Sequence, residues 1–216
     1  MTPQDPHAGH PVLHAGPPIT EARIVAIMLH GRGASAEDIL GLAGELSARD
    51  VAFMAPQAAD RTWYPNSFLA PMPRNEPGLG SALGMIERLV EKLQQQQIPA
   101  NRIALMGFSQ GACLTLEFAA RHAQRYAVIA GFSGGVIGPP GTPRNYPGTF
   151  DGTPVFLGCS DVDPHIPVER VHESAEVFER MGARVDKRIY PGMAHTIIAA
   201  EIEAVDALLK SAISNA

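Results

Sequence analysis

One short segment of the chain has residue types that could present a reactive serine. Residues 107–111 read GFSQG and fit the pattern G-x-S-x-G, in which the glycines allow a sharp, strained turn around Ser109. An apolar, strand-like run precedes the segment, and a run typical of a buried helix follows it. This context favours a nucleophilic Ser109 over the alternative, an idle serine in a glycine-bounded turn.

A nucleophilic serine needs a base, and the base needs an orienting carboxylate. In hydrolases that use this turn, the chain order is serine, acid and then histidine. Asp161 and Asp163 both follow one apolar run, and His195 follows a later alternating run. We favour Asp163 as the acid because Pro164 restricts its backbone to an extended form, whereas Asp161 could equally cap the turn.

Eight histidines compete for the role of base. His195 has the required place in the order and a glycine-containing loop in front of it. His165 lies close to the acid in sequence, so we expect it to line the site rather than act as the base. The others are assigned elsewhere: His7, His10 and His14 to solvent in a Pro/Gly-rich segment, His30 to the turn after a strand, His122 to a helix end and His172 to a helix.

Two backbone N–H groups are the expected donors to an oxyanion. One belongs to Gln110, which follows the serine, and the other to Arg32, in the loop after the apolar run 24–29. The alternative for His30 and Gly31 is a plain turn at a strand end. Residues 31–33 read GRG and lack the third glycine of a dinucleotide-binding fingerprint.

Two long loops, 58–77 and 134–152, carry aromatic residues among prolines and glycines. Long loops at the carboxyl end of a parallel sheet commonly shape a binding pocket. We expect Trp63 and Phe68 to contact an apolar acyl or aromatic group of a substrate. The alternative is that these aromatic residues only anchor the loops on the core.

Strand-like and helix-like segments alternate along the chain, which predicts an α/β protein with a mostly parallel sheet and helices on both faces. The predicted strands are 24–29, 51–55, 102–108, 126–132, 154–159 and 184–190, and the predicted helices are 36–49, 80–97, 110–122, 168–181 and 195–214. Residues 1–20 form an N-terminal segment in which Val12 and Leu13 could add a short edge strand. Residues 21–216 form one domain, with too little chain between strands for a separate cap domain.

Composition excludes some classes of function. The chain has 216 residues, a net charge of −5 and no basic block, which argues against a nucleic-acid partner. Cys113 and Cys159 lie in apolar runs and are typical of buried free thiols. Because no apolar leader and no long apolar span appear, we expect a cytoplasmic protein without stable membrane insertion.

The chain resembles the phospholipase/carboxylesterase family of α/β hydrolases, which includes acyl-protein thioesterases and small bacterial carboxylesterases. The resemblance runs from about residue 24 to the C-terminus and rests on four motifs, LHG at 29–31, GFSQG at 107–111, DPHIP at 163–167 and GMAH at 192–195. It implies an α/β-hydrolase fold with Ser109 as nucleophile, Asp163 as acid, His195 as base, and Arg32 and Gln110 as oxyanion donors.

The chain departs from the family pattern in two places. Arg32 stands where the acyl-protein thioesterases are expected to have an apolar residue, and residues 62–71 look like bacterial carboxylesterases related to dienelactone hydrolases. The first departure argues against a long-chain lipid substrate.

We therefore predict a serine esterase that favours short acyl or aryl esters and uses no metal or organic cofactor. Its predicted partner is a small-molecule ester, and the sequence is also compatible with a homodimer. With the same three residues, the alternatives are a thioesterase or lysophospholipase and a lactone hydrolase. Outside enzymes, the alternative is a silent fold that binds an acyl ligand.

Overall fold

A seven-stranded sheet forms the centre of the computed structural model, which describes residues 5–215. The strands are β1 (Val12–Ala15), β2 (Ile24–Leu29), β3 (Val51–Pro56), β4 (Ile103–Phe108), β5 (Val128–Phe132), β6 (Pro154–Ser160) and β7 (Arg184–Tyr190). Their order across the sheet is β1-β3-β2-β4-β5-β6-β7. Only the β1–β3 pair is antiparallel among these seven strands, so the predicted mostly parallel sheet is confirmed.

Helices cover both faces of the sheet, as predicted. They are α1 (Ala36–Gly41), α2 (Gly78–Gln95), α3 (Gln110–Arg121), α4 (Val168–Arg180) and α5 (Ala199–Ser214). In β2, Val25 and Ile27 pack in a core with α2, α3 and α4, whereas Ala26 and Met28 pack in a second core with α1 and α5. Because both faces of β2 are buried, every position needs an apolar residue, which explains its continuous apolar run.

Helix α1 is shorter than the predicted span of 36–49. It ends at Gly41 and continues only as a 3₁₀ turn, Leu42–Gly44. Glycines lower helix propensity here. In addition, the backbone N–H groups of Ser47 and Ala48 donate to the Asp206 carboxylate of α5, at 2.8 and 2.9 Å, instead of continuing a helix.

Helix α5 begins four residues later than the predicted start at 195. The side chain of Glu201 accepts a hydrogen bond from the Ile198 N–H at 3.0 Å, which caps the helix at this point. Residues 195–198 are therefore free to form the loop that carries His195. The segments after β4, β6 and β7 all leave the same edge of the sheet, because parallel strands end on one side.

Within residues 5–215, no helix combines the length and apolarity that a bilayer-spanning segment requires.

Candidate active site

Ser109 lies in a strained turn between β4 and α3. Its φ and ψ angles are 54° and −118°, a region that L-residues rarely adopt. Its N–H donates to Phe132 O at the end of β5 at 2.9 Å, and its carbonyl accepts from Cys113 N in the first turn of α3 at 2.9 Å. These bonds hold the serine at the carboxyl edge of the sheet.

The glycines of this turn are required by close backbone contacts. A Cβ on Gly107 would lie 2.4 Å from the carbonyl oxygen of Gly111, and a Cβ on Gly111 would lie 2.1 Å from that of Leu29. Because these contacts leave no space for a methyl group, glycine at both positions lets α3 approach β2 and β4 closely.

A continuous hydrogen-bond chain joins the three residues that the sequence proposes for acyl chemistry. His195 Nε2 lies 2.8 Å from Ser109 Oγ, and His195 Nδ1 lies 2.7 Å from Asp163 Oδ2. Because an ionised carboxylate only accepts, Nδ1 carries the proton and Nε2 can accept from the serine hydroxyl. The imidazole also packs against the rings of Phe108 and His165, at centroid distances of 5.0 and 4.7 Å.

The Asp163 carboxylate is fixed by several donors. Its second oxygen accepts from the backbone N–H groups of His165 and Ile166, at 2.8 and 3.0 Å. Burial favours the neutral acid, but the hydrogen bonds from His195 and from these two N–H groups outweigh it, so the pKa of Asp163 lies below its ordinary value. The group therefore stays a carboxylate at neutral pH and can orient the imidazole.

Asp161, the competing acid, contacts a different part of the site. Its carboxylate accepts from the Gly192 N–H at 2.8 Å, in the loop between β7 and His195. The structure thus brings Asp163 to His195 and uses Asp161 to hold the loop that presents it.

Gln110 and Arg32, the predicted oxyanion donors, line the same cavity as Ser109, and both hold the same loop. Gln110 is the first residue of α3, where a helix has N–H groups without intrahelical acceptors. Its side chain accepts from Trp63 N at 3.0 Å and donates to Tyr64 O at 2.8 Å. The Arg32 guanidinium donates to the carbonyls of residues 65 and 66, at 3.0 and 2.7 Å, and lies 5.9 Å from the Tyr64 ring.

A cavity of about 590 Å³ opens beside Ser109. Its wall is formed by the loop after β2, the first half of the loop 58–77, the start of α3 and the segment after β6. The lining residues are Gly31, Arg32, Ala34, Tyr64, Pro65, Asn66, Ser67, Phe68, Phe108, Ser109, Gln110, Cys113, His165, Ile166 and His195. Phe68 and His165 are therefore placed where a substrate group could contact them.

Trp63 does not line this cavity, contrary to the prediction that it contacts substrate. Its side chain is fully buried, and its ring nitrogen donates to His30 O at 2.9 Å. The indole also packs against the rings of His7 and His30, with centroid distances of 5.5 and 4.9 Å. For Trp63 the alternative is correct: it anchors the loop on the core.

The expectation that His7 is solvated is wrong, since only 1% of its surface is exposed. Its Nε2 donates to Trp63 O at 2.9 Å, and its Nδ1 accepts from Ala59 N at 3.1 Å. Its backbone N–H donates to Ser81 Oγ, and Asp5 pairs with Arg88 of α2 at 3.1 Å. Residues 5–7 thus form a strap that contacts both α2 and the loop that carries Tyr64.

Tyr64 and Cys113 line the cavity although neither was proposed as a site residue. Burial raises the pKa of Tyr64 well above its ordinary value and that of Cys113 to about 12, so both stay protonated at neutral pH. Neither group is a nucleophile there. The sequence feature that could have identified Tyr64 as a site residue is its place in the aromatic loop 58–77. Among the described residues, no group of three or more His, Cys, Asp or Glu side chains is arranged to hold a metal ion.

Three comparisons with known proteins cover almost the whole chain. The family model described as Phospholipase/Carboxylesterase matches residues 14–213. The acyl-protein thioesterase 1 of Saccharomyces cerevisiae is 27% identical, over 91% of this chain and 96% of that protein. The crystal structure of a phospholipase/carboxylesterase from Dyadobacter fermentans is 44% identical, with a TM-score of 0.90 over 94% of this chain and 97% of that chain.

A more distant structure shares the fold alone. The acyl-protein thioesterase 2 of Zea mays is 16% identical and has a TM-score of 0.72, over 94% of this chain and 99% of that chain. The family match and the similarity to the Dyadobacter structure confirm the predicted α/β-hydrolase fold without a separate cap domain. The chain therefore belongs to the phospholipase/carboxylesterase family of α/β hydrolases, enzymes of the esterase and thioesterase type.

Proposed function

We propose that this protein cleaves carboxylic esters through an acyl-enzyme on Ser109. The observation that carries the proposal is the continuous hydrogen-bond chain from Ser109 through His195 to Asp163, at the wall of an open cavity. A serine hydroxyl is a weak nucleophile by itself, and this arrangement supplies both the base and the group that orients the base.

In the acylation step, Ser109 Oγ attacks the ester carbonyl carbon and its proton moves to His195 Nε2. The Asp163 carboxylate holds the imidazole in the correct tautomer and stabilises the imidazolium. The C–O bond to the alcohol then breaks, and the leaving oxygen takes the proton from Nε2. The product is an ester of Ser109 and a free alcohol.

The oxyanion of the tetrahedral intermediate is assigned to the backbone N–H groups of Gln110 and Arg32. Both residues are fixed through their side chains to the loop that carries Tyr64, so the donors need little reorganisation during the reaction. In deacylation, His195 Nε2 takes a proton from water while the water oxygen attacks the acyl carbon. The C–O bond to Ser109 then breaks, Oγ takes the proton back from Nε2, and the carboxylic acid leaves.

Arg32 supports a preference for short acyl or aryl esters. Arg32 lines the cavity, and its guanidinium already donates to two loop carbonyls. A long acyl chain packed against this group would remove water from a charge without replacing its hydrogen bonds, which costs free energy. A short acyl chain avoids that contact.

Thioester cleavage is the second candidate, and the relative in Saccharomyces cerevisiae that is named an acyl-protein thioesterase favours it. The same nucleophile, base and oxyanion donors serve both reactions, because both pass through a tetrahedral intermediate. The two candidates differ in the leaving group and in the length of acyl chain that the cavity accepts.

A fluorophosphonate probe tests the nucleophile directly. Intact-mass analysis should show one adduct on the wild type and none on Ser109→Ala, and the variant should lose about 10⁴-fold or more in kcat. Ser67→Ala is a matched control, since Ser67 lines the same cavity and takes no part in the hydrogen-bond chain. It should be labelled like the wild type.

The proposal fails if Ser109→Ala keeps more than a tenth of the activity. A wild type without any adduct would instead support a silent ligand-binding fold. Rates with p-nitrophenyl acetate to decanoate, a palmitoyl thioester and an aryl lactone then separate the substrate classes. A clear preference for the palmitoyl thioester would replace the ester proposal with the thioesterase.

A further inference from the structure

A second cavity, of about 310 Å³, meets the first one at His195. The two cavities share Phe108, His195 and the loop after β2. Beyond these shared residues, the second cavity extends towards α1 and the segment after His195, where Ile39, Leu42 and Ile197 form an apolar wall. Ser109 and Gln110 line the first cavity and are not among the residues that line the second.

The chemistry of acyl transfer decides which half of a substrate each cavity can take. The acyl group becomes bonded to Ser109 Oγ, so it must lie in the cavity that the serine lines. The leaving oxygen must receive its proton from His195 Nε2, so the alcohol has to leave past the imidazole. The cavity that begins at His195 and lacks Ser109 suits the alcohol.

We propose that the second cavity is the leaving-group subsite, and that it takes uncharged or cationic apolar alcohols and disfavours anionic ones. This inference rests on the proposed function. Ile39, Leu42 and Ile197 provide the apolar surface for the body of the alcohol.

The charge preference comes from Asp38, an exposed residue that lines this cavity. One of its oxygens accepts from the N–H and the hydroxyl of Ser35, at 2.8 and 3.0 Å, at the first turn of α1. These hydrogen bonds lower the pKa of Asp38, so the group is ionised at neutral pH. A leaving group with its own negative charge would meet this carboxylate.

The test uses aryl acetates that share one acyl group and differ only in the charge on the phenol. Three phenols are compared, one neutral, one with a carboxylate and one with a trimethylammonium group, and each kcat/KM is divided by the rate of alkaline hydrolysis of the same ester. The wild type should disfavour the carboxylate ester by about two- to fivefold relative to the neutral one at low ionic strength, the range for exposed charge pairs. Added salt should reduce this difference.

Asp38→Asn should remove most of the discrimination, while the amide oxygen can still accept from Ser35. Glu37→Gln is the matched control, because Glu37 is an exposed carboxylate in the same first turn of α1 and is not part of the cavity wall. This control removes the same charge from the helix and should keep the wild-type discrimination.

A mirror series places the charge on the acyl side, with p-nitrophenol as the constant leaving group. Asp38→Asn should leave the discrimination in this series unchanged. If Asp38→Asn reduces the charge discrimination in the acyl series but not in the alcohol series, the assignment of the two cavities would be reversed. No change in either series would show that the second cavity holds neither half of the substrate.

A size series is the independent measurement. Leu42→Ala should raise the ratio of kcat/KM for 1-naphthyl acetate over phenyl acetate, while Leu40→Ala, a neighbour outside the cavity wall, should not. The deacylation rate of the common acetyl-enzyme should be the same in Leu42→Ala and wild type; an altered rate would contradict the assignment. Hydrolysis that persists in Ser109→Ala would overturn the proposed function itself. The ratios above cannot produce that result, so the two failures can be told apart.

Discussion

Asp161 and Asp163 are separated by one residue, yet they contact different partners, and this difference can be measured. Asp163→Asn should lower kcat/KM by about 10⁴-fold, because the amide no longer fixes the imidazole tautomer that accepts the Ser109 proton. Asp161→Asn should cost tenfold or less, because an amide oxygen can still accept from Gly192. Steady-state kinetics at neutral pH with a p-nitrophenyl ester gives both values. A larger loss in Asp161→Asn would reverse the assignment of the acid.

Arg32 is the residue on which chain-length preference should depend. Arg32→Leu should shift the optimum of a p-nitrophenyl ester series towards longer acyl chains, because the guanidinium no longer has to be desolvated. Arg32→Lys keeps the charge but cannot donate to two carbonyls with the same fixed geometry. It should keep the short-chain optimum. If the optimum is unchanged in Arg32→Leu, the acyl chain does not contact this side chain.

Glu201 should make stability fall as pH rises. It is fully buried, Oε1 has no hydrogen-bond partner among residues 5–215, and burial raises its pKa from about 4.5 to about 7. Between these two values the unfolded chain has already lost the proton that the folded protein keeps. The free energy of unfolding therefore decreases through this window as pH rises.

Glu201→Gln should remove that dependence, since the amide is neutral at every pH and can still accept from Ile198. Thermal unfolding at pH 5, 6.5 and 8 should show a smaller decrease in Tm for this variant than for the wild type. Glu203→Gln, at an exposed position of the same helix, is the control and should behave like the wild type. If Tm decreases with pH equally in Glu201→Gln and wild type, Glu201 does not cause the pH dependence.

At the scale of secondary-structure elements, the packing of α3 on β2 depends on a glycine, Gly111, which has no side chain. A methyl group on Gly111 would lie 2.1 Å from Leu29 O and 2.6 Å from His30 O, both backbone atoms that cannot move alone. Gly111→Ala should therefore lower the free energy of unfolding by about 2 kcal/mol or more in a denaturant titration. Gly44→Ala is the control, because its Cβ would meet nothing within 4 Å. Equal stability of the two variants would show that α3 can move away without cost.

The strands and the order of the site residues could be predicted because they depend on local patterns. Apolar runs identify strands buried on both faces, and the parallel sheet brings the segments after β4, β6 and β7 to one edge. The end of α1 could not be predicted in this way. It depends on Asp206, whose carboxylate binds the N–H groups of Ser47 and Ala48 from about 160 residues further along the chain.

At the scale of the whole molecule, the strap formed by residues 5–7 should stabilise the loop 58–64, which lies more than 50 residues away in the sequence. His7→Ala leaves Trp63 O and Ala59 N without their buried partners, so it should lower the free energy of unfolding by about 1–3 kcal/mol. His14→Ala, an exposed residue of β1, should have little effect. Both values come from denaturant unfolding at neutral pH. Equal effects would show that the strap does not support the loop.

The same long-range contacts explain why the surroundings of Trp63 and His7 were not predictable. A Pro/Gly-rich segment is typical of solvated chain, and nothing in its local pattern indicates a buried imidazole. The burial arises from bonds between residues 52 to 74 positions apart, such as His7 to Ala59 and His7 to Ser81. By contrast, the close approach of Ser109, Asp163 and His195 was predictable, because their order and the strands before them follow from local sequence patterns.

The strap also has a consequence for the order in which the protein is completed during synthesis. His7 is synthesised before its partners Ala59, Trp63 and Ser81, which follow it by 52, 56 and 74 residues along the chain. Chains begin to fold while they are still being made, and the hydrogen bonds of His7 can be complete only once Ser81 has emerged. His7 is therefore made earlier than the residues that hold it, and its contribution to holding the loop that carries Tyr64 begins only after those residues have been made.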